Sequence, residues 1–170
     1  MAESAFIVVV PEAGPCVGHL RERFDPSFKL GVPAHITLLV PFMSPERITR
    51  AVLRRAQTAL GKVPAFSFTL TRVQRFPATT YLAPEPAAPF IALTQSLVRH
   101  FPDYPPFGGE FDGIVPHLTV AHGNAEQAEQ VAAELVGVMQ SHGPIASVCT
   151  SVTLIENATG MWNAMHAFEL

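Results

Sequence analysis

Ala34-His35-Ile36-Thr37-Leu38-Leu39-Val40 and, 82 residues beyond its histidine, His117-Leu118-Thr119-Val120-Ala121 are the two stretches on which the reading of this chain turns. Both are aliphatic and β-branched. Pro33 and Pro41 bracket the first and Pro116 precedes the second, so each reads as a short strand. Side chains two apart on a strand share a face. His35 therefore stands beside Thr37, and His117 beside Thr119, while Ile36, Leu38, Val40, Leu118 and Val120 point into apolar packing. A single His-x-Thr occurs often by chance, and a lone strand histidine is usually a satisfied core or surface residue. Two copies, each in an apolar strand that supplies no partner for a buried imidazole, point to one shared site.

Outward from these strands the chain repeats itself. After the first comes a helix start at Ser44-Pro45-Glu46, with a hydroxyl cap, a proline at the first position and an acid at the positive end. Its apolar face is Ile48, Val52, Ala56 and Leu60, and Gly61 and Pro64 stop it. After the second comes a helix capped by Asn124, with Ala128, Val131, Ala132, Leu135 and Met139 inward. Ser67-Phe68-Thr69-Leu70 is echoed 84 residues later by Ser151-Val152-Thr153-Leu154. Two nearly equal offsets predict a duplicated strand–helix–strand–strand unit. The fold class expected is α+β: two pseudo-symmetric lobes of antiparallel sheet flanked by helices, around a central cleft where a ligand would bind. Further elements are predicted as strands at 5–10, 66–73, 79–83, 148–155 and 164–170, and helices at 17–24 and 90–101. The Pro- and Gly-rich runs 84–89 and 102–109 read as loops, so residues 1–170 form a single two-lobed domain.

Composition bounds the function. Of 170 residues, 48% are apolar and 15% charged, enough to bury a core, and the net charge of −3 argues against wrapping long nucleic acid. A short nucleotide or an RNA end remains compatible with that charge. Cys16 and Cys149 lack metal or redox spacing and read as buried thiols. Asn157-Ala158-Thr159 matches the glycosylation pattern, which carries no weight without a secretion signal. The six-residue apolar run near the start is too short to span a membrane and lacks a basic flank, so a cytoplasmic, membrane-free monomer is expected.

Two facing imidazole–hydroxyl pairs suit phosphodiester chemistry. One histidine takes a proton from the attacking water or hydroxyl and the other protonates the leaving oxygen. The threonine hydroxyls donate to the non-bridging phosphate oxygens. The catalytic candidates are thus His35, Thr37, His117 and Thr119. No metal or other cofactor is called for.

Pro33-Ala34-His35-Ile36-Thr37-Leu38-Leu39-Val40-Pro41-Phe42, Pro116-His117-Leu118-Thr119-Val120, Arg75-Phe76-Pro77 and Gly160-Met161-Trp162 together resemble the 2H phosphoesterase superfamily. That superfamily includes 2′-5′ RNA ligase-like proteins and 2′,3′-cyclic nucleotide phosphodiesterases. The resemblance covers nearly the whole chain. It implies two α+β lobes around a cleft, the same four catalytic residues, and a substrate such as a nucleotide or RNA end bearing a cyclic phosphate. Where RNA ligase-like members often carry an arginine after the second motif, this chain has Ala121-His122-Gly123, and alternation turns His122 away from the catalytic face.

Secondary candidates surround these four. Arg75, with Arg72, flanks a strand end and is placed to meet phosphate or base. Phe42, Tyr81 and Phe107 are candidates to stack a base at the cleft mouth, with core packing the competing reading. Arg47, Arg50, Arg54 and Arg55 read as a solvated helix face, and His19, His100 and His142 as surface residues. His166, on the last strand, is not expected to reach the cleft. Two other readings stand beside the enzyme: a metal site built from His35, His117 and His122, and a nucleotide- or RNA-binding module without catalysis.

Overall fold

In the computed structural model, which describes residues 1–110 and 113–170, strands and helices alternate along the chain. The elements are β1 (Ser4–Val9), α1 (Gly14–Phe24), α2 (Pro26–Lys29), β2 (His35–Phe42), α3 (Arg50–Leu60), β3 (Phe66–Phe76) and β4 (Thr79–Glu85). There follow α4 (Ala88–His100), β5 (Leu118–His122), α5 (Ala125–His142), β6 (Ile145–Cys149), β7 (Ser151–Glu156) and β8 (Asn163–Glu169). The strands form one antiparallel sheet in the order β6-β3-β4-β5-β2-β1-β7-β8. The halves expected from the repeat meet edge to edge at β2 and β5, the two His-x-Thr strands.

About that seam the order is pseudo-symmetric. β1 flanks β2 as β4 flanks β5, and the Ser-x-Thr-Leu strands β7 and β3 come next on either side. In sequence β3 follows β2 but lies in the other half, paired with β4 and β6, and β7 follows β5 but pairs with β1 and β8. Only Thr150 separates β6 from β7, although they lie toward opposite ends of the sheet. Residues two apart lie at most about 7 Å from each other, so the sheet curls until β6 and β7 meet at this corner.

Apolar residues of α1, α3, α4 and α5 cover one face of the sheet in one continuous core, including Val17, Leu20, Leu60, Leu93, Leu97, Val131 and Leu135. Strand residues of that face, among them Phe6, Val8, Ile36, Leu82, Leu118 and Leu154, complete it. The other face is open, apart from a small cluster of Ala5, Ile7, Val32 and Ile155, against which Val9, Val40 and Trp162 pack. Both cysteines are buried thiols, and burial pushes that of Cys149 up to about 11.

Local chemistry revises two sequence expectations. Ser44 does not cap the helix. Its hydroxyl donates to Glu46 across a short 3-10 turn at Pro45–Arg47, and Thr49 Oγ1 accepts from the Val52 amide to cap α3 instead. The single strand expected over 148–155 is two strands, broken at Thr150. The Asn124 cap holds, with Oδ1 accepting from the Gln127 amide at 2.8 Å. Among the described residues no helix is long and apolar enough to cross a membrane.

Candidate active site

The central pairing sets the geometry. Ile36 lies opposite Leu118 in an antiparallel register. One residue to either side, His35 comes opposite Thr119 and Thr37 opposite His117, all four side chains on the open face. Directly opposed residues hold their Cβ atoms about 5 Å apart, and the diagonal neighbours, here the two histidines, about 7–8 Å. That interval admits a tetrahedral phosphate between two imidazoles, with one hydroxyl beside each. Two residues far apart in sequence meet here because the strands that carry them are the seam of the sheet.

The two imidazoles are oriented in the same way. His35 Nδ1 lies 2.8 Å from the Pro33 carbonyl and His117 Nδ1 lies 2.7 Å from that of Val115, each two residues back. A carbonyl only accepts, so Nδ1 carries the proton in both rings and the neutral Nε2 keeps its lone pair for proton transfer. Burial is the main force holding both rings below the ordinary imidazole range, with the backbone bonds opposing it. His35 falls to about 4, with Arg21 and His117 lowering it further and Asp25 opposing them.

The walls differ. Val9 lies opposite His35 and Ile7 opposite Thr37, giving that side an aliphatic floor. On the other side Tyr81 lies opposite Thr119, and its ring stands 5.3 Å from His117. Phe76 meets His117 edge-on at 5.1 Å and packs on Tyr81 at 4.5 Å. Burial pushes the Tyr81 phenol up, so it stays neutral. Tyr81 thus lies beside His117, but at 6% exposure its ring is packed between Phe76 and His117 and not presented at a cleft mouth. Phe76 was quoted only as part of the family resemblance; its signal was the two-residue turn at Pro77-Ala78, which pairs it with Thr79 on the Tyr81 face.

Three other sequence expectations are corrected. Phe42 is 4% exposed and packs on Phe6, Phe101 and Tyr104 in the helix-side core, so its ring cannot meet a ligand. Arg75 lies opposite Thr80, whose hydroxyl donates to α5, and donates itself to the Ala125 carbonyl, so it fastens α5 rather than facing the cleft. His122 does face the open side. Between Tyr81–Thr119 and Thr80–Ala121 the register slips by one, so Val120 and Ala121 both enter the core and the next side chain emerges on the catalytic face. There Thr79 Oγ1 holds His122 Nδ1 at 2.8 Å. A matching bulge follows the first motif, where Leu38 and Leu39 both enter the core and Val40 emerges.

Phe107 is 40% exposed, in a 3-10 turn (Pro106–Gly109) packed along β2. Arg72, exposed, pairs with Glu85 at 2.8 Å. His166 lies opposite Leu154, a core residue, and so belongs to the helix-side face. Among the described residues no three His, Cys, Asp or Glu side chains gather to hold a metal ion, so the His35–His117–His122 centre does not assemble.

Comparison with known proteins bears on the fold and the family. A Bacillus cytotoxicus protein provisionally named a phosphoesterase is 30% identical over 115 residues, which cover 65% of this chain and 64% of that protein. A Bacillus cereus relative of similar name is 30% identical over 117 residues, with the same coverage of each chain. The match thus spans less than two thirds of these relatives. Escherichia coli LigT, solved with NADP+, superposes with a TM-score of 0.61 at 19% identity, covering 99% of this chain and 96% of LigT. LigT solved with 3′-AMP gives 0.61 at 17% identity, covering 99% and 97%. At such identities the likeness shows the fold. The sequence profile of the 2′-5′ RNA ligase superfamily matches residues 9–160, and the chain belongs to that family.

Proposed function

We propose that this chain is a phosphoesterase that opens 2′,3′-cyclic phosphodiesters on nucleotides or RNA ends, without a metal ion. The observation that carries the reading is the Ile36–Leu118 register, which brings both imidazole–hydroxyl pairs to one seam. One Nε2 takes a proton from water as its oxygen bonds to phosphorus. The other imidazole, protonated, gives its proton to the ribose oxygen as the P–O bond breaks, leaving a phosphomonoester and a free hydroxyl. Thr37 and Thr119 donate to the non-bridging oxygens, where charge gathers. A second turnover needs only that the two rings exchange their protonation states through solvent. With a ribose 5′-hydroxyl in place of water as the nucleophile and the 3′-oxygen as the leaving group, the same machinery runs toward a 2′-5′ linkage.

Burial leaves both rings neutral in the empty site at neutral pH. The anionic phosphate then favours a proton on one of them in the complex. The nucleotide ligands of LigT, 3′-AMP among them, and the phosphoesterase names of the Bacillus proteins support this substrate class.

The test is turnover of 2′,3′-cyclic nucleoside monophosphates in excess chelator. His35→Ala and His117→Ala should each remove essentially all activity, because each group contributes roughly 10²–10⁴ in rate and the two act as a unit. Undiminished turnover in either variant sinks the assignment. Tight nucleotide binding with no turnover across many cyclic substrates would favour a binding module instead.

A further inference from the structure

The two catalytic histidines are near-equivalent in their strands, yet among the described residues only one has a charged pair behind it. Arg21, near the end of α1, is 2% exposed, and Asp25 is 5% exposed. Arg21 Nε donates to Asp25 Oδ2 at 2.9 Å, and Nη2 donates to Ser27 Oγ at 3.1 Å and to the Val32 carbonyl at 2.9 Å. Asp25 in turn accepts from the Ser27 amide and hydroxyl, capping α2. A buried ion pair is a weak device for stability, because desolvation offsets its attraction. Its geometry here serves another end.

The segment that follows α2 delivers the carbonyl that orients His35. The Trp162 amide holds the Leu30 carbonyl, Arg21 holds that of Val32, and the Val10 amide holds that of Ala34. Between the last two, the Pro33 carbonyl is left to accept from His35 Nδ1. Arg21 provides the side-chain anchor in this series; the others are backbone. On the His117 side the orienting carbonyl belongs to Val115, which is 52% exposed, and the described residues show no buried ion pair there.

We infer that Arg21 and Asp25 are positioning residues for His35: the guanidinium, clamped by the carboxylate, fixes the Val32–Pro33 backbone and so the tautomer and angle of that one imidazole. The inference rests on the reading of His35 as a proton-transfer group. Neither residue reaches the substrate. Arg21→Lys keeps the charge and so leaves no unpaired buried carboxylate, but one ammonium cannot reproduce the fork that spans Asp25, Ser27 and Val32. Arg21→Met with Asp25→Asn removes both charges together.

The experiment is imidazole ¹⁵N NMR on both variants, beside kcat and KM on 2′,3′-cyclic nucleoside monophosphates. The expected result is a His35 spectrum moved away from the Nδ1–H form with His117 unchanged. With it, kcat should fall roughly 10- to 100-fold, as for a displaced catalytic group, and KM should stay within about twofold. A wild-type His35 spectrum in either folded variant overturns the inference. So does an equal disturbance of both rings, or failure of both variants to fold, since each makes the pair a general structural support. The spectra need no substrate, so they judge the positioning of His35 even if cyclic nucleotides are never turned over. Loss of the functional reading itself would show separately, as turnover that survives His35→Ala.

Discussion

Replacing His35 with asparagine should change how stability depends on pH, by an amount set by the ring's burial. In the folded protein the imidazole is held down to about 4 from an ordinary 6.5, chiefly by desolvation. The unfolded chain therefore takes up a proton first as pH falls. The ring's contribution is fully present above pH 6.5 and is lost as pH drops toward 4. At 1.36 kcal/mol per pKa unit the whole loss approaches about 3 kcal/mol, and about 2 kcal/mol of it has occurred by pH 5. Solvent at the half-buried ring makes these ceilings. The assay is urea unfolding of the wild type and His35→Asn at pH 7, 6 and 5. The wild type should lose stability relative to the variant by up to about 2 kcal/mol across that range, whatever the variant's starting value. A difference that stays constant with pH would refute the argument, because it would mean that the imidazole titrates alike in both states.

Two further outcomes follow from the site and the helix caps. Thr37→Val and Thr119→Val keep the shape of each side chain and remove its hydroxyl; each should lower kcat/KM by roughly 10²–10³-fold, in line with the loss of one hydrogen-bond donor to a developing oxyanion, as steady-state kinetics would read. Thr49→Ala should cost about 1 kcal/mol of stability by chemical denaturation, whereas Ser44→Ala, at a residue that makes no cap bond, should cost much less.

The sequence carries the His-x-Thr strands plainly because two rules agree on them. Alternation fixes the shared face of each histidine and threonine, and the equal offsets fix the duplication. Alternation fails at His122 and Val40, which lie beyond the bulges, whereas Phe42 lies on the core side that strict alternation from Ile36 and Leu38 already assigns it. The signal for a bulge was present: Leu38-Leu39 and Val120-Ala121 place two apolar residues in succession where strict alternation demands only one inward. Arg75 failed for the same reason: a bulge between Leu70 and Arg72 turns Val73 and Arg75 to the helix side, and it is Phe76, its neighbour, that shares the catalytic face. Nothing local distinguishes Arg21-x-x-x-Asp25 from a solvent-exposed helical pair, since that spacing is common on surfaces. Its burial depends on the fold of the 25–33 segment against the open face of the sheet. The exchange of β3 and β7 between halves was equally illegible, because a repeat in sequence does not say which copy's edge a strand will join.

That exchange has a mechanical consequence. A fragment ending at Glu85 would contain β1 with β2 and β3 with β4, two antiparallel strand pairs whose missing neighbour is β5 from the remainder of the chain. Neither copy of the repeat is self-sufficient; each is completed by ladders contributed by the other. The gap between the imidazoles is therefore set by the spacing of one hydrogen-bonded strand pair and is not governed by a hinge between separable bodies. Prying it apart would mean unzipping the middle of the sheet.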